Sequence, residues 1–253
     1  KSTNKFINKD IFKFRGKSLY DIVHCNGVLH HLANKEQGIR LMSQNLKKGG
    51  IFILGTGTIT GFFQRNLQRY LLYCISKDKE EIIKNAKKYF GEHLKRAAKG
   101  SGRSILAVIY DSYINSKIDT FNISDLFKLF KKNKIDFYSS FPQINNIVED
   151  EMEWKHLKGN NPSKDSINFT NYLWFLRSTE VKIKKNNRIF DKLLVLSKSL
   201  NNISFENKSK FITKIKKVKS KLCLNNKKKI INNFPIIDKT DIFFSEIDTL
   251  LNL

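Results

Sequence analysis

Acids, cysteines and prolines are scarce in this chain. It has 23 Asp and Glu against 47 Lys and Arg, three cysteines and three prolines in 253 residues. Cys25, Cys74 and Cys223 lie far apart and form no C-x-x-C pair. Neither a zinc ribbon nor a disulfide framework is therefore expected, and a reducing, cytoplasmic setting fits. No apolar run is long enough to span a bilayer, and none reads as a signal peptide. No G-x-G-x-x-G or G-x-G-x-G occurs, and Gly55-Thr56-Gly57 opens no phosphate-binding helix.

Lysine and phenylalanine are abundant. Twenty Phe favour a packed interior over disorder, and the length allows one or two domains with a sizeable core. The net charge of +24 has two explanations. One is a polyanionic partner, nucleic acid or an anionic membrane. The other is compositional drift, because Lys, Asn and Ile are enriched together. The lysines are scattered along the whole chain, whereas a binding patch concentrates cations and interleaves them with Arg and aromatics.

The stretch that organises the chain is Tyr20 to Gly57. Tyr20, Ile22 and Val23 begin a strand that stops at Asn26-Gly27. Ile39, Leu41, Met42 and Leu46 follow at helical spacing. Lys47, Lys48 and two glycines then read as the cationic last turn and Gly stop of that helix. Ile51 to Leu54 is a short apolar run of buried-strand type. The order predicts a right-handed βαβ unit in a parallel sheet, with a ligand-binding loop at the strand's carboxyl end.

The pairing of YDIVHCNGVLHH with LKKGGIFIL at this spacing resembles the fourth strand, crossover helix and fifth strand of class I S-adenosylmethionine-dependent methyltransferases. Lys48 stands where that family usually has Pro. The resemblance covers Lys5 to Pro142. It implies an α/β fold: a partial Rossmann-like methyltransferase sheet, strands three to seven, with a helical C-terminal extension. Lys5 to Phe12 is similar to the family's third strand running into its acidic loop. By that resemblance Asp10 accepts from the cofactor's adenine amine and Ile11 packs on the ring. From the local sequence alone Asp10 is equally a turn residue after a strand. Asn26, Gly27 and Val28 fall where the family's backbone passes the methionine part, an approach that small residues permit. His30 and His31 follow. One is a candidate general base for a hydroxyl or amine acceptor. The alternative is that the pair packs the following helix and only lines the site. His24 reads as a structural residue within the strand. No third ligand lies close enough to suggest a metal site.

The family's first strand with its Gly-rich turn, and its second strand with a ribose-holding acid, have no counterpart here. The expectation is therefore an N-terminally truncated, carboxyl-terminal portion of a methyltransferase. Gly55 to Gly61 is expected to line the acceptor side. In FFQRNLQRYLLYCI, Phe63, Leu67, Tyr70, Leu71 and Cys74 form a stripe with Arg65 and Arg69 beside it. A basic helix follows from about Lys79 to Lys99, ended by Gly100-Ser101-Gly102. Helices over about 62–100 would act as a lid, or lie as solvated surface. Tyr110, Asp111 and Tyr113 are acceptor-pocket or core residues. Phe121 to Asn133 reads as a helix capped by Asn122 or Ser124, and Ile135 to Tyr138 as the sixth strand. FTNYLWFLR, Phe169 to Arg177, is either helix or strand.

The domains expected are 1–180, the partial methyltransferase with its lid, and 181–253, a lysine-rich helical extension. Amphipathic helices are expected near Ile189 to Ser197, Phe211 to Leu222 and Asp238 to Leu253. The implied function is methyl transfer from S-adenosyl-L-methionine to a small-molecule acceptor. The competing reading is a degenerate methyltransferase-like module whose basic helices bind RNA or another polyanion.

Overall fold

A computed structural model of the chain describes residues 4–14, 16–115, 117–141, 144, 162–176 and 188–210. The expected helices at Phe211 to Leu222 and Asp238 to Leu253, and most of the polar connection from Glu149 to Ser166, lie outside the described residues.

Strand β1 (Tyr20–Asn26), helix α1 (Lys35–Asn45) and strand β2 (Leu46–Gly55) form the βαβ unit, and the two strands pair in parallel. The alternation in sequence sets the faces. Val23, Cys25, Phe52 and Leu54 turn toward α1 and pack with Leu29, Ile39, Met42 and Phe121. Ile22 and Ile51, directly paired, turn the other way and are 57% and 58% exposed, with Tyr20 and Ile53 also exposed.

The start of α1 follows its sequence. Asn34 caps the helix by accepting from the Gln37 N–H at 2.9 Å, and Glu36 lies in the positive first turn. Its end does not. The helix stops at Asn45, and Leu46 is already extended. Lys47 and Lys48 belong to β2, not to a helical last turn. Tyr20 pairs with Leu46 but Ile22 with Ile51, so extra residues are looped out between them, with Gly49 at φ +78°. Lys47 instead meets Asp21 of the neighbouring strand at 2.9 Å.

Two further strand expectations are corrected. Residues 4–10 form no strand; they lead into a single 3-10 turn, Ile11–Lys13. Residues 135–140 are also irregular. Ile135 packs under the sheet and Phe137 meets Phe127 edge to face, so apolar burial fixes this stretch without a strand ladder. Among the described residues the sheet has only the strands β1 and β2.

Seven helices are described. After α1 come α2 (Phe63–Ile75), α3 (Lys79–Ser101), α4 (Ile105–Ile109), α5 (Ile123–Lys132), α6 (Lys164–Leu176) and α7 (Arg188–Leu200). A π-helical turn, Tyr110–Ile114, continues α4. Asp78 caps α3 through the Glu81 N–H. The helix bends at Phe90 and runs through Ser101, stopping at Gly102, whose φ of +64° suits glycine at a helix end. Asn122 precedes α5 as its cap position but makes no side-chain cap bond. Phe169 to Leu176 is helical, as part of α6.

A second core joins α2, α3, α4, α6 and α7 through Phe63, Leu67, Leu72, Tyr73, Ile82, Leu94, Ile109, Tyr113, Phe175, Leu196 and Leu200. A third, with Phe127, Ile144 and Ile167, joins α5 to α6. The chain after α7 turns back onto the body. The Ser197 hydroxyl donates to the Ile59 carbonyl at 2.6 Å, and Asn201 binds Asp119 and Thr120. None of the helices, among the described residues, is long and apolar enough to cross a membrane.

Candidate functional site

The carboxyl end of β1 carries most of the residues singled out from the sequence. The Gly27 N–H donates to the Gly55 carbonyl at 2.9 Å, which ties the ends of the two strands together. Gly27 then takes φ +70°, and a Cβ there would meet nothing within 4 Å. The backbone turns sharply beside open space, which only glycine does without strain. The Asn26 side chain lies against Gly55, where an added Cβ would fall 2.0 Å from Asn26 Oδ1. Val28 is exposed, and the turn Leu29–His31 closes with the His31 N–H on the Val28 carbonyl at 2.9 Å. Leu29 is fully buried and anchors this turn in the core beneath β1.

The two histidines have different environments. His30 is buried, with Nδ1 at 3.3 Å from Thr56 Oγ1 and 3.5 Å from the Gly57 nitrogen. An amide N–H only donates, so His30 Nδ1 accepts and its ring proton sits on Nε2. Burial first, then His31 and the Arg65 guanidinium, push its pKa down to about 4, against a smaller opposing pull from Asp111. His30 is therefore neutral near pH 7, and it joins the turn after β1 to the loop after β2. Its carbonyl accepts from the Asp119 N–H at 2.8 Å, and its ring meets the edge of Phe62 at 5.6 Å.

His31 stands beside it, ring centroids 4.2 Å apart. Its Nδ1 is 2.7 Å from the Lys117 carbonyl. A carbonyl only accepts, so His31 Nδ1 carries a proton; in the neutral ring the lone pair is then on Nε2. The Asn115 Nδ2, at 3.3 Å from the same nitrogen, is then a packed neighbour and not a donor.

Asp10 caps the 3-10 turn. Its Oδ1 accepts from the Phe12 N–H at 2.9 Å, and the residue is exposed. Ile11 is half-buried in the same cluster as Cys25 and Leu29, the neighbours of Asn26 and Val28. One core therefore ties Ile11 to the β1 turn, while Asp10 points outward from it.

Sequence reasoning noticed Arg69 only as a residue beside a stripe. In the structure Arg69 is fully buried and Tyr73 nearly so. The guanidinium donates to Tyr73 Oη at 3.1 Å and to the Asn115 carbonyl at 2.8 Å. The Tyr73 hydroxyl donates to the Tyr113 carbonyl, and the Tyr113 hydroxyl donates to Gln68 Oε1 at 2.8 Å. The i, i+4 spacing of Arg69 and Tyr73 was the only available signal. Lys35 was also missed. It pairs with Asp119 at 2.6 Å, donates to the Thr120 carbonyl and lies over the Phe121 ring. A polar cleft of about 550 Å³ opens beside it, lined by Asn34, Lys35, Arg40, Asp119 and Lys132 among others. It contains none of the sequence-predicted site residues. Among the described residues no group of three His, Cys, Asp or Glu is placed to hold a metal ion.

Compared with known proteins, residues 2–105 match the family model described as a methyltransferase domain. No curated protein matches the chain, and no solved structure does.

Proposed function

We propose, from the match of residues 2–105 to the model of a methyltransferase domain, that the chain is the carboxyl-terminal portion of a cytoplasmic, S-adenosylmethionine-dependent methyltransferase acting on a small molecule. The observation that carries the reading is the turn at Gly27. It is an open, left-handed backbone position at the carboxyl end of a parallel strand, where α/β sheets bind ligands.

The residues present fit part of such a cofactor. Asn26, Gly27 and Val28 would run beside its methionine portion, since nothing fills the space over Gly27. Asp10 would accept from its adenine amine with the carboxylate oxygen that does not cap Phe12, and Ile11 would stand at the ring. Bound there, the cofactor supplies an electrophilic sulfonium methyl group. No ribose-holding acid is identified in the chain. The exposed apolar face of the sheet, Tyr20, Ile22, Ile51 and Ile53, supports a further layer of polypeptide packed over it, because parallel sheets have both faces covered.

For the chemistry, His31 takes the acceptor's proton at Nε2, the nitrogen with the lone pair. His30, neutral and anchored on Thr56 and Gly57, holds the turn that aims it. Helices α2 and α3 would cover the acceptor side as a lid, a role that the contact of Phe62, just before α2, with the His30 ring supports. Rate enhancement then rests mainly on orienting acceptor and methyl donor in line.

Calorimetric titration of S-adenosylmethionine into the full polypeptide encoded in this reading frame tests the proposal. Asp10→Ala should weaken binding about tenfold or more, the worth of a hydrogen bond to a charged group. Unchanged affinity removes Asp10 from the site. The solvent-facing lysines of α3 (Lys84, Lys87, Lys88, Lys95 and Lys99) favour the rival reading, a degenerate module for RNA. Absence of cofactor binding, together with RNA binding that falls steeply with salt, would establish that rival.

A further inference from the structure

We propose that Arg69 is a positioning residue for His31. Through its hold on Tyr113 and Asn115, and through Lys117, its buried guanidinium fixes that imidazole with the proton on Nδ1 and the lone pair on Nε2. The inference rests on the reading of His31 as the acid-base residue, and goes beyond it in naming what holds the base.

The cost of Arg69 frames the argument. A fully buried guanidinium is expensive, and burial is usually offset by a carboxylate. Arg69 forms no ion pair within 4 Å among the described residues; the exposed Glu206 carboxylate acts on it only from beyond that range. Its hydrogen bonds go to neutral oxygens, the Tyr73 hydroxyl and the Asn115 carbonyl. Leucine or methionine would fill such a position on α2 at lower cost, since replacing buried charge by apolar side chains is often neutral or stabilising. The guanidinium does one thing an apolar side chain cannot, which is to pin a main-chain carbonyl.

The pinned segment leads directly to His31. The Tyr73 hydroxyl, itself held by the Arg69 Nε–H, donates to the Tyr113 carbonyl. Arg69 Nη2 donates to the Asn115 carbonyl two residues later. Both ends of that short run, which is the last turn of the π-helix, are thus fixed from α2. Asn115 then folds its own side chain forward: its Oδ1 accepts from the Lys117 N–H at 3.0 Å, an Asx turn. That bond holds the Lys117 nitrogen, and across the Cα of the same residue its carbonyl stands 2.7 Å from His31 Nδ1. The second ring nitrogen of a histidine is set by the hydrogen bond the first one makes. Five connected bonds therefore run from a buried cation to the tautomer of one imidazole. His30 takes the opposite tautomer from a different loop, so the two adjacent rings are set independently.

Nitrogen-15 NMR of His31, reading the one- and two-bond couplings of Nδ1 and Nε2 near pH 7, tests this on the full chain without any need for substrate. The native protein should show the Nδ1–H form of His31 and the Nε2–H form of His30. Arg69→Met should lose the Nδ1–H form as the dominant state of His31 while His30 keeps its tautomer. Arg69→Lys, which restores a charged donor near the Asn115 carbonyl, should recover it in part. If Arg69→Met does not fold, Asn115→Ala serves instead, because it removes the Asx turn and leaves the Arg69 acceptor in place. It should cause the same loss. A folded Arg69→Met or Asn115→Ala protein with His31 still on Nδ1–H overturns the proposal. Failure of cofactor binding, by contrast, would strike the methyltransferase reading and leave the tautomer result standing.

Discussion

Asn201→Ala should be among the most damaging single changes in the turn that follows α7. Asn201 is half-buried, but its amide is used completely. Oδ1 accepts from the Thr120 N–H at 3.0 Å and from the Thr120 hydroxyl at 2.7 Å. Nδ2 donates to Asp119 Oδ1 at 2.9 Å and to the Thr120 carbonyl at 3.2 Å. Alanine removes all four bonds. Asp119 keeps Lys35 and the Thr120 carbonyl keeps the Lys35 ammonium, so those acceptors are not orphaned. The Thr120 N–H and hydroxyl are left without partners in a residue that is 1% exposed. An unsatisfied buried polar group costs about 1–3 kcal/mol, so two on one residue that relaxes in part give a loss of about 2–4 kcal/mol. Urea unfolding followed by circular dichroism should move its midpoint down by roughly 1–2 M with little change in slope. Asn201→Ala with Thr120→Val should lose less than the sum of the two single changes, because Val removes the stranded hydroxyl. A loss below about 0.5 kcal/mol for Asn201→Ala would mean that these hydrogen bonds do not join the chain after α7 to the 119–120 loop.

Three other outcomes follow from the site. His30 has its pKa lowered to about 4 from an ordinary 6.5, so the unfolded chain binds more protons in that window. Its contribution is fully present above about pH 6.5 and is lost as pH falls toward 4, a total of about 3 kcal/mol. Denaturation at pH 7 and pH 4.5 should show that slope, and His30→Gln should flatten it; an identical slope in the variant would remove His30 as its source. Gly50→Ala should destabilise by about 1–3 kcal/mol, because its Cβ would fall 2.8 Å from the Asp21 carbonyl of β1 and backbone does not yield easily. Gly55→Ala meets the Asn26 side chain, with Oδ1 at 2.0 Å, Cγ at 2.7 Å and Cβ at 3.3 Å, and no backbone atom, so a rotation of Asn26 should relieve it; thermal melting should show a smaller loss, while cofactor affinity falls as Asn26 is displaced; a greater loss at Gly55 than at Gly50 would reverse the argument.

The βαβ unit was legible because alternation in Tyr20 to Asn26 and the apolar spacing of Ile39 and Met42 report directly on one buried face. Lys47-Lys48-Gly49-Gly50 misled, because cations and glycines are the signals of a helix end and also suit a strand offset, and only the pairing with Tyr20 and Ile22 decides between them. Ile135 to Tyr138 alternates like a strand, yet a strand also needs a neighbour's backbone, which periodicity cannot show. The aromatic run after Phe169 was ambiguous for the complementary reason. It became helical as part of a segment that buries Ile167 in one cluster and Phe175 in another. In the site, Gly27 and the two histidines were readable from residue type. The difference between His30 and His31 was not, since it lies in the carbonyl of Lys117 and the amide of Gly57, main-chain groups distant in sequence. Arg69 was hidden for a similar reason: its acceptor is a carbonyl 46 residues away.

The most direct test of methyl transfer is to incubate the full in-frame polypeptide with S-adenosylmethionine labelled in its methyl group and a deproteinised extract of small molecules. The account predicts label in the low-mass fraction, with transfer reduced about a hundredfold or more by His31→Gln, the scale of general-base catalysis. No label in that fraction, with cofactor unbound and RNA retained in a steeply salt-dependent manner, would contradict it.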